Sequence, residues 1–160
     1  FPEAYQKAWR SLEQGRLGWG ADGKDKLNPE RLRERLITPN PERHFYIRYA
    51  LQSGMSVPQI AALTKIDPWF LDQMELLVHM EGRLRAFELA SVPADLLRQA
   101  KRMGFSDGQL AFLLRTTELQ VRARRKELGI TPTFHKVDTC AAEFPAETPY
   151  LYSSYESEDE

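Results

Sequence analysis

Cysteine is almost absent from this 160-residue chain. The single one, Cys140, excludes an internal disulfide framework and fits a reducing compartment, so we expect a cytoplasmic protein. No apolar run approaches membrane-spanning length, and the start lacks the basic and then apolar pattern of a signal peptide. Because the first residue is Phe1 rather than methionine, we expect that the chain was processed or belongs to something longer.

An excess of charge of either sign is also missing. The chain has 22 basic and 23 acidic residues, which gives a formal net charge of −1. Such a balance provides no overall field to attract nucleic acid or an anionic membrane, so we predict neither as a partner. Hydrophobic residues make up 42% and charged residues 28%, which is typical of a globular domain with its own core.

Patterns of catalytic or metal-binding residues are lacking as well. His44, His79 and His135 are far apart and have no neighbour at ligand spacing. Cys140 follows His135 by five residues, but that stretch has no predicted regular structure to hold a nucleophile and its base, and we expect Cys140 to be a small buried thiol. We therefore predict no catalytic, cofactor-binding or metal-binding residue in this chain.

Signals for helix starts and stops are abundant, and they predict an all-α fold. Apolar residues recur at spacings of three and four from Phe1 to Leu12, and a glycine-rich loop follows at residues 15–26. Further helix starts are predicted at these positions: Asn28-Pro29, Glu42, Ser56 with Gln59 as a capping box, Asp67-Pro68, and the residues after Pro93. In the helix after Pro68, we expect Trp69 and Phe70 to anchor the core.

The middle of the chain repeats itself at an offset of 50 residues. Gly54, Ser56 and Gln59 recur as Gly104, Ser106 and Gln109, together with the alanines and leucines that follow them. This pattern predicts two related helical-hairpin units that share one core. We divide the single domain into N-terminal helices and loop (1–40), the paired hairpin core (41–130), and an extended C-terminal segment with an acidic tail (131–160).

The extended C-terminal segment contains Pro132, Pro145 and Pro149 and has no helical period. This composition predicts an extended segment that lies across the helices or a partner and contains at most one short pair of strands. Four of the last five residues are acidic, which indicates a disordered end.

A helix-turn-helix module that binds DNA is the alternative interpretation of the repeat. The glycine, serine and glutamine unit resembles the first part of such a motif, which needs a basic helix after it. In the first unit that helix begins with acids such as Asp67, Asp72 and Glu75. In the second unit, residues 95–128 have a net charge of +4, and four cations cluster at residues 122–126. The alternative therefore stays open for the second unit.

Two stretches resemble the large subunit of carbamoyl-phosphate synthase, in the segment between its two ATP-grasp halves. The first covers residues 54–75, and the second covers residues 137–156 with the run Asp-Thr-Cys-Ala-Ala-Glu-Phe at 138–144. Residues 3–13 resemble the helix that leaves the first half. The resemblance covers essentially the whole chain, and no ATP-grasp motif is present in it.

This resemblance implies a non-catalytic oligomerisation domain that spaces the two halves and supports contacts between large subunits. The parent enzyme would be a ligase that makes carbamoyl phosphate from bicarbonate, glutamine-derived ammonia and two ATP, with magnesium, for arginine and pyrimidine synthesis. Its implied partners are the two ATP-grasp halves, other large subunits, and a small amidotransferase subunit.

Surfaces that meet other parts of such an enzyme should be apolar and exposed. We expect them on the N-terminal helix, on the aromatic residue of the glycine-rich loop, and on the extended segment. The resulting candidates are Tyr5, Trp9, Leu12, Trp19, Phe144, Tyr150, Tyr152 and Tyr155. Trp19 would be either buried or used by a partner. We expect at least a weak dimer, and the alternative is a monomer whose C-terminal segment folds back over the N-terminal helix.

Overall fold

The computed structural model describes residues 1–145 and 147–156, which are mostly helical. The prediction of an all-α fold with at most one short pair of strands is confirmed. The helices in the described part are α1 Pro2–Ser11, α2 Leu32–Ile37, α3 Arg43–Gln52, α4 Val57–Thr64, α5 Pro68–Arg85, α6 Ala94–Arg102, α7 Asp107–Leu113 and α8 Glu118–Glu127. A 3-10 helix, Pro29–Arg31, precedes α2, and a two-stranded sheet, β1 Thr133–Lys136 and β2 Leu151–Ser154, follows α8. Part of the predicted acidic tail, residues 157–160, lies outside the described residues.

Helices begin where the capping signals predict. The Asn28 side chain accepts a hydrogen bond from Glu30 N at 3.0 Å, and Asp67 accepts one from Trp69 N at 2.8 Å. Reciprocal capping boxes start α4, α7 and α8. Each of these caps satisfies backbone N–H groups that have no partner inside the helix.

The two repeat turns have the same backbone geometry. Gly54 and Gly104 have φ of +84° and +85°, a region that glycine adopts without the strain of a side chain. In each turn, the residue after the glycine bonds back to the preceding helix in the same way. Met55 N donates to Ala50 O at 3.0 Å, and Phe105 N donates to Ala100 O at 3.2 Å. The repeat in sequence is therefore a repeat of the same helix end.

One apolar core extends through both units. Helices α3 and α4 pack on α5, α2 packs on α3 and α4, α5 contacts α7, and α7 packs on α8. Large side chains that are almost completely covered come from every part of this arrangement: Trp19, Leu36, Ile47, Ile60, Leu71, Leu77, Leu84, Leu97, Phe105, Leu110, Leu113 and Leu114.

The prediction that Trp69 and Phe70 anchor the core is wrong. Their side chains are 51% and 43% exposed. The buried face of α5 begins one residue later, at Leu71, and continues through Met74 and Leu77. Trp69 and Phe70 lie beside that face and contact the ring of Phe1, each with ring centroids 5.6 Å apart.

Substitutions of two neighbouring residues would check which face of α5 is buried. We expect Phe70→Ala to lower the free energy of unfolding by about 1 kcal/mol, since it removes an exposed ring with aromatic neighbours. Leu71→Ala removes a side chain that is 0% exposed, so it should cost about 2–5 kcal/mol. Urea denaturation of both variants provides the comparison, and a larger loss for Phe70→Ala would contradict the assigned face.

The C-terminal segment forms the predicted strand pair. β1 and β2 are antiparallel, with Phe134 opposite Ser153 and His135 opposite Tyr152. Arg102 Nε donates to Tyr155 O at 3.1 Å, and Lys7 donates to Ser153 O, so the strand pair is attached to α6 and α1.

The expectation that Cys140 is buried is wrong. Cys140 is half-buried and lies between exposed neighbours. The Asp138 carboxylate accepts hydrogen bonds from Cys140 N at 2.9 Å and from Ala142 N at 2.7 Å. These bonds close a turn on the surface, so the local backbone is satisfied without burial of the thiol.

Candidate functional site

The glycine-rich loop between α1 and α2 is the most buried irregular segment of the described chain. Trp19 is 0% exposed, and its indole Nε1 donates to His44 O at 3.0 Å. Its ring meets Tyr5 edge-on, with centroids 5.3 Å apart. Its backbone N donates to Gln6 Oε1 at 2.7 Å. Of the two roles expected for Trp19, the structure shows the buried one.

Two buried glutamines connect this loop to the second repeat unit. Gln109 Nε2 donates to Gln6 Oε1 at 3.1 Å and to Gly20 O at 2.8 Å. A Cβ atom at Gly18 would overlap both glutamine amides, and one at Gly20 would lie 2.5 Å from Arg48 Nε. Glycine is therefore required at both positions because the neighbouring polar groups leave no room for a side chain.

A buried ion pair joins α3 to α5. The Arg48 guanidinium bonds both carboxylate oxygens of Glu81, Nε to Oε1 at 2.9 Å and Nη2 to Oε2 at 2.5 Å. Its Nη1 reaches Asp25 Oδ2 of the loop at 2.6 Å. Burial raises the pKa of Glu81, and the contacts with Arg48 oppose this rise by favouring the carboxylate. This pair fixes the loop against the first unit.

A second charged cluster joins α6, α7 and α8. Asp107 Oδ1 accepts from Lys101 Nζ at 2.8 Å, and its Oδ2 accepts from Arg125 Nε at 2.8 Å. Burial acts to raise the pKa of Asp107, but the bonds and charges of Lys101 and Arg125 outweigh it and hold this pKa below its usual value. Lys101 Nζ also lies 4.9 Å from the Tyr155 ring centroid, which brings the C-terminal segment onto this cluster.

The described residues contain no group of three or more His, Cys, Asp or Glu side chains placed to hold a metal ion. His44 Nδ1 lies 2.8 Å from Tyr5 Oη, and His135 Nε2 lies 3.2 Å from Ser154 Oγ. An open cleft of about 700 Å³ between residues 88–90 and α8 is lined by groups of both charge signs. Within residues 1–145 and 147–156, no helix has the length and apolarity to cross a membrane.

The predicted contact residues separate into two groups by exposure. Trp9 and Trp19 are buried by the chain itself, and Tyr5 and Tyr155 are half-buried against the core. The other four are exposed: Leu12, Phe144, Tyr150 and Tyr152. Three of these four lie on the C-terminal segment. Their role in contacts stays a prediction.

The sequence analysis missed several exposed apolar side chains. Leu151 and Phe134 lie on the same face of the strand pair and are more than 45% exposed. Phe1, Trp69 and Phe70 form a second exposed group at the start of α5. An alternation of apolar and polar residues could have indicated the first group, but four-residue strands are too short to show it reliably.

Together, these features define a mainly α-helical domain of two related units. Buried polar clusters join its helices, and a strand pair with exposed apolar side chains lies at its C-terminal end. Residues 1–129 match the family described as the oligomerisation domain of the carbamoyl-phosphate synthetase large chain, and the chain belongs to this family. This match confirms the resemblance seen in the sequence. Neither the family nor the relatives described next support a DNA-binding module.

Relatives across bacteria, archaea and plants match the full chain. Carbamoyl phosphate synthase large chains from Nostoc sp. and from Archaeoglobus fulgidus are each 54% identical over 100% of this chain. An arginine-specific, chloroplastic large chain from Arabidopsis thaliana is 44% identical over the same extent. This chain spans about 15% of the length of the first two relatives and 14% of the third.

Proposed function

We propose that this chain is a non-catalytic scaffold of a carbamoyl-phosphate synthase large chain. In this role it separates the two ATP-grasp halves and supports association between large chains. The parent protein would be the ATP-dependent ligase, with ATP and magnesium bound by its catalytic halves rather than by this domain. Names of relatives that align with the whole of this chain support that parent.

The observation that carries this proposal is the exposed apolar surface of the C-terminal segment. Phe144 is 70%, Tyr150 is 66% and Tyr152 is 52% exposed, and Leu151 is exposed on the opposite face of the strand pair from Tyr152. Extended apolar surface of this kind usually marks a contact site, because leaving it in water is unfavourable. We name Phe144, Tyr150 and Tyr152 the hairpin surface and propose that it contacts an ATP-grasp half of the same large chain.

The other proposed partners are those of the same parent enzyme. Other large chains would contact this domain through a separate surface, and an amidotransferase small chain would bind elsewhere in the complex. The single cysteine supports a reducing compartment such as the cytoplasm for the parent enzyme.

Footprinting with hydroxyl radicals would test the hairpin surface. In the isolated chain, we expect Tyr150 and Tyr152 to be labelled readily because their rings are exposed. In the full-length large chain, we expect both to be protected several-fold, because contact with a catalytic half removes them from water. Tyr46, which is 3% exposed, provides an internal control that should label weakly in both samples. Equal labelling of Tyr150 and Tyr152 in the two samples would contradict the proposed contact.

A further inference from the structure

The first helix and the end of the strand pair meet at the second repeat turn. Helix α1 lies on this turn, where Arg10 Nη1 donates to Gly104 O at 2.8 Å. Lys7, on the same helix, donates to Ser153 O of β2. An open cleft of about 250 Å³ lies between α1, the turn and residues 153–155. Dissolved ions therefore have access to the place where the strand pair is attached to the helices.

A second cation, from α6, also bonds the end of the strand pair. Arg102 Nε donates to Tyr155 O at 3.1 Å, and Arg102 Nη2 lies 3.6 Å from a carboxylate oxygen of Glu156. The side chains of Lys7 and Arg102 are 41% and 45% exposed. Because both cations are in contact with water, salt screens their attraction to the strand pair.

The Tyr155 ring lies between two further cations. Its centroid is 4.9 Å from Lys101 Nζ and 5.9 Å from the guanidinium carbon of Arg125. A cation over the face of an aromatic ring is attracted by the electrons of that face. The ring is half-buried against the core. Cations from α1, α6 and α8 thus converge on residues 153–156.

The strand pair itself covers mainly polar groups. His135 and Ser154 are buried, and His135 Nε2 lies 3.2 Å from Ser154 Oγ. The large apolar side chains of the two strands, Phe134, Leu151 and Tyr152, are 49%, 58% and 52% exposed. Hydrophobic burial therefore contributes little to the attachment of the strands, and a two-stranded sheet is only marginally stable by itself.

We propose that residues 133–136 and 151–156 form a strap that leaves α1 and α6 as a unit while the helices stay folded. The strap is held by an ionic latch, which consists of the four cations around residues 153–156 and has Tyr155 at its centre. Screening of these contacts by salt favours the open strap. The strap includes Tyr152 and adjoins Tyr150 of the hairpin surface, so the latch determines whether these rings are fixed in position on the domain. This opening is a property of the chain itself, whatever the hairpin surface contacts.

Native-state hydrogen exchange followed by NMR tests whether the strap opens separately. The amides of β1 and β2 should exchange faster than those of Ile47 and Leu77 in the core, because local opening requires less free energy than global unfolding. Between about 0.1 M and about 1 M NaCl, the Debye length falls from about 10 Å to about 3 Å. Over this range we expect exchange of the strand amides to accelerate at least about threefold more than that of the core amides.

Two arginines of α6 form a matched pair of test and control. Arg102→Gln removes an exposed side chain that bonds the strap, so the strand amides should exchange at least about threefold faster and respond less to salt. Arg98 lies one turn earlier and pairs with Asp95 at 3.2 Å. Arg98→Gln should leave the rate and the salt response of the strand amides unchanged.

Two tyrosines test the latch from the side of the strap. Tyr155→Ala removes the ring that contacts Lys101 and Arg125, so the strand amides should exchange at least about tenfold faster, with the core amides unchanged. Tyr150 is 66% exposed, so Tyr150→Ala should alter the same rates by less than about twofold.

Three outcomes would overturn the proposal. Strand amides that exchange at the rate of the core amides would show that the strap opens only when the whole domain unfolds. Strand amides without any protection at low salt would show that the strap is not held on the helices. Equal responses to the two arginine substitutions, or exchange that salt does not change, would show that the attachment is not ionic.

Discussion

Trp19→Ala should lower the free energy of unfolding by about 3–5 kcal/mol, as expected for loss of a fully buried aromatic side chain. The residue lies in a loop without helix or strand, so few backbone bonds hold the loop once the ring is gone. The indole bond to His44 O and the contact with the Tyr5 ring are lost together. Urea denaturation followed by circular dichroism measures the change without relying on tryptophan fluorescence.

Trp69→Ala is the matched control for this prediction. It removes the same side chain from a site that is 51% exposed, where the loss should be about 1 kcal/mol. Similar losses for the two variants would show that the loop collapses around the missing ring, or that Trp19 is less firmly packed than its burial indicates.

Arg48→Met should cost about 3–5 kcal/mol, because it leaves the Glu81 carboxylate buried without its bidentate partner. The double variant Arg48→Met with Glu81→Met should be more stable than this single variant, since it removes the uncompensated charge as well. Guanidinium denaturation of the wild type, both single variants and the double variant completes the cycle. If the double variant lost as much stability as the two single variants together, the result would contradict an energetic coupling between Arg48 and Glu81.

An exposed pair with the same geometry provides the control. The Arg31 guanidinium also bonds both oxygens of a carboxylate, that of Glu34, at 3.0 and 2.6 Å. Both residues are exposed, so Arg31→Met should leave the free energy of unfolding nearly unchanged. The contrast between the two arginines isolates burial as the source of the effect.

Local signals predicted the helices well, because caps and glycine turns act within a few residues. Ser56 with Gln59 and Asp67 with Pro68 start helices where expected, and Gly54 ends one. The buried face of α5 was not predictable in the same way. Trp69, Phe70 and Leu71 are consecutive apolar residues, so more than one helical phase is consistent with the sequence, and packing against α3, α4 and α7 selects the face.

The candidate surfaces were harder to predict than the fold. The burial of Trp19 depends on Gln6 and Gln109, whose contact no local pattern indicates. The exposure of Tyr150 and Tyr152 depends on how the strand pair is attached to α1 and α6. For both sites, the sequence identified residues able to make a contact, and only the tertiary arrangement distinguished those already used inside the chain.

The position of α1 on the second repeat turn has a consequence for the order of synthesis. Gln6 bonds a residue that follows it by 103 positions, and Arg10 bonds one that follows by 94. At roughly 5–20 residues per second, a ribosome adds about a hundred residues in about 5–20 s. During that interval, the nascent first helix has its apolar stripe but not its docking site. Within this domain, α1 is therefore one of the last helices to be secured, and the growing chain must keep it from other partners until the second unit emerges.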